Sequence, residues 1–153
     1  MEFVWREVCE GDEATVLALF RSEGVRFTDA IDVVNFSGFC KCWQDEVGEE
    51  FFVKSAHLGG EMVAAIAYSR SVDAVFTILE FIVVPGFREK WFGSKLLSEF
   101  ISRSTLIVGE EITGAVAVIE WDNYRAQGVF LRAGFVNSGT HPDGDAIRFV
   151  YKK

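Results

Sequence analysis

In this chain of 153 residues the side chains able to do chemistry gather in two stretches. The first runs from Val75 to Ile101. A β-branched and aromatic run there carries a single carboxylate, Glu80, and stops at Val84-Pro85-Gly86. A short loop with Arg88, Glu89 and Lys90 follows, and then a segment opening at Gly93-Ser94. A carboxylate in apolar company holds a proton more tightly than one in water, which suits a general base. The competing reading is a strand glutamate paired with a Lys or Arg on the next strand. The basic loop falls where a following helix has unpaired N–H groups and the positive end of its dipole, and that combination suits a phosphate. The second stretch is Asp122-Asn123-Tyr124-Arg125-Ala126 with Phe130-Leu131-Arg132-Ala133-Gly134-Phe135 after it. Asn123 is placed to cap a helix, and Tyr124 carries a hydroxyl able to deliver a proton.

Regular elements must position these groups. Val75 to Val84 reads as a strand, and Leu96, Leu97, Phe100 and Ile101 repeat at the spacing of a one-sided helix. Ile112 to Glu120 reads as a further strand, and a strand, a crossover helix and another strand imply a parallel pair. Upstream, Phe3 to Val8 alternates like a strand. Asp12 suits the N-cap of a helix through Val16, Leu17 and Phe20 that ends near Gly24. Glu50 to Leu58 and Glu61 to Ser69 are strands joined through Gly59-Gly60, which readily forms a tight hairpin turn. Phe135 to Thr140 and Asp145 to Tyr151 make a closing hairpin through Pro142-Asp143-Gly144. Val25 to Gly48 is less regular and reads as one or two helical segments. Its aromatics Phe27, Phe36, Phe39 and Trp43 either line an apolar pocket or belong to the core. Its acids Asp29, Asp32, Asp45 and Glu46 either hold an ammonium or are plain surface.

The strand, loop and helix of the first stretch resemble the central motif of the GNAT superfamily of acyl-CoA-dependent N-acyltransferases. Val83, Pro85, Phe87, Arg88 and the run Gly93-Ser94-Lys95-Leu96-Leu97 fall on that motif, with Trp91 where the family has its first loop glycine and Glu89 where another is frequent. The second stretch resembles the family's other signature, an Asn near a helix start followed by an aromatic and then Gly-Phe. The aromatic, often a Tyr that serves as general acid, is Phe130 here. Together the two cover about half of the chain.

This resemblance implies a mixed α/β fold in one GNAT-like domain. Its central seven-stranded sheet is mostly antiparallel, one parallel pair splays apart to admit the pantetheine arm of acetyl-CoA, and helices cover both faces. It implies that the backbone of Ile82, Val83 and Val84, with Phe81 beside it, pairs with that arm. Arg88, Glu89, Lys90, Trp91, Phe92, Gly93 and Ser94 wrap the pyrophosphate, and Asn123 and Phe130 contact the arm from the second signature. Glu80 is the expected base, and with Phe130 in place of the Tyr the thiolate's proton comes from water, from another residue such as Tyr124, or from none, while Phe27, Phe36 and Trp43 face the acceptor. The expected reaction moves the acetyl group of acetyl-CoA directly to a primary amine. The alternative is a degenerate relative that binds an acyl-CoA, a metabolite or a protein without turnover.

Composition bounds these readings. Half of the residues are apolar, and 15 Phe with 4 Trp supply a core for one domain. The formal net charge of −8 disfavours nucleic acid and anionic membrane and leans toward a cationic small-molecule amine. The opening residues show no leader pattern, and no apolar run reaches the ~20 residues of a bilayer span, so a cytoplasmic protein is expected. Cys9, Cys40 and Cys42 with His57 and His141 offer no metal-ligand spacing, and reduced structural thiols are expected. The sequence leaves room for a homodimer.

Overall fold

The computed structural model describes residues 2–22, 35–48, 50–71, 73–88, 91–142 and 144–153. Phe27, Asp29, Asp32, Glu89, Lys90 and Asp143 lie outside the described residues.

Strands β1 (Val4–Glu7), β2 (Glu50–Leu58), β3 (Glu61–Arg70), β4 (Val75–Val83), β5 (Gly114–Glu120), β6 (Val136–Thr140) and β7 (Ala146–Lys152) form a seven-stranded sheet in the order β1-β2-β3-β4-β5-β7-β6. Every neighbouring pair is antiparallel except β4 and β5. Helices α1 (Glu13–Ser22) and α2 (Phe36–Val47) cover one face, where Val16, Leu17, Phe20, Phe39 and Trp43 pack on Ala65, Ala67 and Ile82. Helix α3 (Phe92–Ser102) covers the other, with Leu97, Phe100 and Ile101 against Ile66, Tyr68, Phe76 and Ile78. Beside it on that face lies α5 (Tyr124–Arg132), whose Phe130 joins the same cluster. Each such buried side chain contributes ~1.5–3 kcal/mol of transfer free energy. Among the described residues no helix is long and apolar enough to cross a membrane.

Three details depart from the sequence reading. Asp12 does not cap α1: it sits inside a 3-10 turn, Glu10–Asp12, and its carboxylate accepts hydrogen bonds from Arg6 at 2.7 Å and from the Cys9 thiol at 3.2 Å. The described part of the irregular stretch is one helix, α2, started by Asn35, whose side chain accepts from the Gly38 N–H at 2.8 Å. After α3 the chain breaks at Arg103 and adds a short helix, α4 (Ser104–Val108). The break is held from below, because the buried Ser104 hydroxyl accepts the Ile112 N–H at 3.0 Å.

The feature that opens the sheet lies in β4. Ala67 pairs with Glu80 and Tyr68 with Ile78, so Leu79 is an extra residue, a bulge that bends the strand and increases its twist. The parallel ladder with β5 runs only from Val75↔Gly114 to Ile78↔Ala117, although β4 continues to Val83 and β5 to Glu120. The two strands therefore separate where the bulge stands.

Candidate functional site

The bulge also decides which side chains face the gap. Before it, Phe76 and Ile78 point into the α3 cluster; after it, Val83 packs with Phe92 and Leu96 of α3 while Ile82 packs with the α1 and α2 cluster. Strict alternation from Ile78 would have sent Glu80 to the α3 side. The extra residue puts it on the face of Ile82 instead. A cavity of about 120 Å³ fills the gap between the strands, and Glu80, Ile119, Glu120, Asn123 and Phe130 are among its walls. Within it the Glu80 Oε1 atom is shielded from solvent.

A larger cavity, about 340 Å³, continues from the gap toward the start of α3. Phe81, Ile82 and Val83 of β4 form one wall, Gly93 and Ser94 of α3 a second, and Ala126, Val129 and Phe130 of α5 a third. Three cations, Arg88, Arg125 and Arg132, line it with Trp91 and Asn123, and no acidic residue does among the described ones. In a chain of net charge −8 this is a local reversal of sign. The N-terminus of α3 adds to it, because first-turn N–H groups have no intrahelical partner and carry the positive end of the dipole. Trp91 stands at the N-cap and offers those groups no side-chain acceptor. A polyanion with an apolar portion matches these walls.

Local chemistry explains the shape. Gly93 eases the approach of α3 to α5, because a Cβ there would lie 3.3 Å from both methyl groups of Val129, a tight contact that Val129 would have to yield to by a few tenths of an ångström. Ser94 donates its hydroxyl to the Trp91 carbonyl at 3.2 Å, and Arg88 folds back to donate Nε–H to the Val83 carbonyl at 2.9 Å. Asn123 caps α5 by accepting the Ala126 N–H at 3.2 Å while lining both cavities. Trp91 has φ 68°, a left-handed conformation that costs a non-glycine residue ~1–2 kcal/mol. The Arg132 guanidinium lies 4.6 Å from its ring centroid, a cation–π contact worth ~0.5–1 kcal/mol at an exposed site, which offsets part of that strain.

Of the side chains singled out from sequence, Glu80, Phe81, Ile82, Val83, Arg88, Trp91, Gly93, Ser94, Asn123 and Phe130 all line one or both cavities. Phe130 is 5% exposed and packs edge to face on Phe81 and Phe135, so it forms a wall shared by the two cavities. Val84 lines neither, its N–H being engaged by the Val63 carbonyl at 2.8 Å. Phe92 turns into the core against Phe3 and Phe87. Tyr124 is 70% exposed at the start of α5 and lines neither cavity. Phe36 and Trp43 are buried under α2, stacked on Phe39 and Phe51 respectively. Phe36 also borders a separate cavity of about 220 Å³ with Cys40, whose thiol is pushed up to about 11 by burial and so is no nucleophile at neutral pH. The acceptor candidate Phe27 and the pyrophosphate-loop candidates Glu89 and Lys90 are not among the described residues.

Sequence reasoning missed Arg125, Val129 and Arg132 as cavity residues. Their spacing of four and seven puts them on one face of a helix, and that was the available signal.

No family model matches the sequence, and no curated protein sequence matches it either. Solved structures do match across nearly the whole chain. The fold is similar to a spermidine N-acetyltransferase from Vibrio cholerae in complex with CoA and spermine, with TM-score 0.74 and 12% identity over 98% of this chain and 95% of that one. It is similar to the PaiA N-acetyltransferase from Thermoplasma acidophilum in complex with coenzyme A, with TM-score 0.71 and 13% identity over 100% of both chains. It is also similar to the aminoglycoside acetyltransferase AAC(6')-Ib in complex with coenzyme A and kanamycin, with TM-score 0.72 and 21% identity over 99% of this chain and 95% of that one. At these identities the likeness establishes the fold.

Proposed function

We propose that this chain, which has the fold of the GNAT superfamily, is an N-acetyltransferase that moves the acetyl group of acetyl-CoA directly to a primary amine of a small cationic acceptor. The observation that carries the reading is the coincidence of the parting of β4 and β5 with a cavity walled by Arg88, Arg125 and Arg132 at the start of α3. The fit to the donor is chemical. Its phosphates match the arginines and the first-turn N–H groups of α3, and its apolar arm matches Phe81, Val83, Ala126 and Val129. When bound, acetyl-CoA supplies the acetyl group and a thiolate leaving group.

The chain's own residues supply the rest. The end of β4 presents backbone groups where the strand is no longer paired to β5, and these orient the donor's amides. Glu80, in the gap on the face of α1 and α2, takes a proton from the acceptor ammonium, directly or through water, so that the neutral amine attacks. Glu120, across the gap, adds a second carboxylate that favours a cationic acceptor. Phe130 and the aliphatic wall exclude water. No covalent enzyme intermediate is required, because both substrates meet in one gap.

A second reading, ligand binding without turnover, is favoured by Phe130, which lines both cavities yet has no proton to give. The discriminating experiment is calorimetric titration of acetyl-CoA followed by a thiol-release assay with polyamines, aminoglycosides and amino acids. Micromolar binding, about −8 kcal/mol, with amine-dependent release supports the transferase. Binding without release from any amine favours the second reading, and no binding removes the transferase and leaves only a fold kept for another ligand or partner.

A further inference from the structure

The backbone outlier at Trp91 has a partner in Arg132, and the proposed transfer gives the Trp91 side chain itself no task. Trp91 is 61% exposed and holds a left-handed conformation natural to glycine. A large aromatic kept in such a conformation implies a task for its side chain. The ring carries the Arg132 guanidinium at 4.6 Å. The placement of Arg132 is built from its own helix as well: the guanidinium folds back over Gly128, where a Cβ would stand 3.1 Å from Nη1. Arg125, seven residues earlier and so on the same face of α5, lines the same cavity as Arg132 and Trp91.

We propose that Trp91 is a positioning residue for anion binding: its indole holds Arg132 at the cavity wall, and Arg125 and Arg132 together grip the phosphorylated nucleotide end of the donor. The inference rests on the donor reading above and extends it to the phosphorylated end of the donor. A loop glycine serves a phosphate by letting the backbone come close. Here an arginine held over the indole that replaces it brings charge-assisted hydrogen bonds to the phosphate instead. The ligand class is a nucleotide with more than one phosphate group, and the pantetheine arm gains nothing from the pair.

The test is calorimetric titration of CoA, adenosine 3′,5′-bisphosphate and pantetheine into the wild type and the variants Trp91→Gly, Trp91→Phe and Arg132→Gln. Trp91→Gly and Arg132→Gln are each expected to weaken both nucleotides roughly tenfold and to lessen the salt dependence of binding equally. Pantetheine is expected to be unaffected, Trp91→Phe to retain most of the affinity, and the double variant to bind no worse than either single one. Should Trp91→Gly fail to fold, Gly128→Ala, which displaces Arg132 without touching the loop, makes the same comparison. CoA affinity unchanged or improved in Trp91→Gly, as relief of a strained backbone alone gives, overturns the inference and leaves the donor reading standing. Losses that add in the double variant also overturn it. A wild type that binds neither nucleotide overturns the donor reading and this inference together.

Discussion

Glu80 owes its position to Leu79. The run of apolar residues around the carboxylate is visible in the sequence, but its face is set by the extra residue opposite Ala67 and Tyr68. If Glu80 takes the acceptor's proton, Glu80→Gln should lower turnover on the order of 10²-fold with acetyl-CoA affinity retained. Unchanged turnover in steady-state assays removes it from the mechanism. Phe130→Tyr places a hydroxyl on the wall shared by both cavities. It is expected to raise the rate of thiol release without changing the Kd for acetyl-CoA, and a rate that stays level means the leaving thiolate needs no acid from this position. His57 tests the fold rather than the reaction. It is 4% exposed and shares a hydrogen bond with Ser55 at 2.9 Å. Burial chiefly, and then Arg6, hold its pKa below the ordinary 6.5, with Asp12 opposing them. The unfolded chain therefore binds a proton near 6.5 that the folded chain refuses. Stability from this group is complete above that pH and is lost as pH falls from 6.5 toward the lower folded value. Melting temperatures measured from about pH 7.5 to pH 5 should fall less steeply for His57→Gln than for the wild type. Parallel curves would show that the imidazole does not titrate in this way.

Among the elements, the approach of α3 to α5 shapes the larger cavity, and Gly93 against Val129 allows it. Gly93→Val forces the two helices apart, with an expected loss of ~1–3 kcal/mol in urea denaturation and a weaker titration with acetyl-CoA. A variant as stable as the wild type would mean that α5 moves freely on α3. The apolar spacing of α3 was legible because Leu97, Phe100 and Ile101 face the sheet and Lys95 and Glu99 do not share their burial. The break after Ser102 was not legible, since it depends on Ser104 meeting Ile112 from a distant turn. Asp12 reads as a helix cap from its neighbours in sequence, yet Arg6 and Cys9 draw its carboxylate away.

For the molecule as a whole, charge is distributed against its average. A net −8 surrounds a cavity whose described ionisable walls are all arginine. Raising ionic strength should therefore weaken acetyl-CoA binding, and it should also raise KM for a cationic amine more than for a neutral one, because exposed charges are screened over ~10 Å at 0.1 M. An acceptor KM that ignores salt would remove the charge argument for a cationic substrate.

Sequence by itself determined the elements and the ends at which they meet. The continuous apolar run within Glu61 to Ser69, the helical spacing of Leu96 to Ile101 and the strand, helix and strand leading to Glu120 are local patterns, and local patterns survive without knowledge of neighbours. Tertiary structure alone decided the shape of the site and the cations on its far wall. A bulge is a mismatch between two strands, so neither strand's sequence announces it. Arg125 and Arg132 became cavity walls only because α5 lies against α3, and Trp91 meets the Arg132 guanidinium of that helix only because its backbone adopts a glycine's conformation beneath it. These are relations between distant residues, set by packing energies that no single stretch of chain contains.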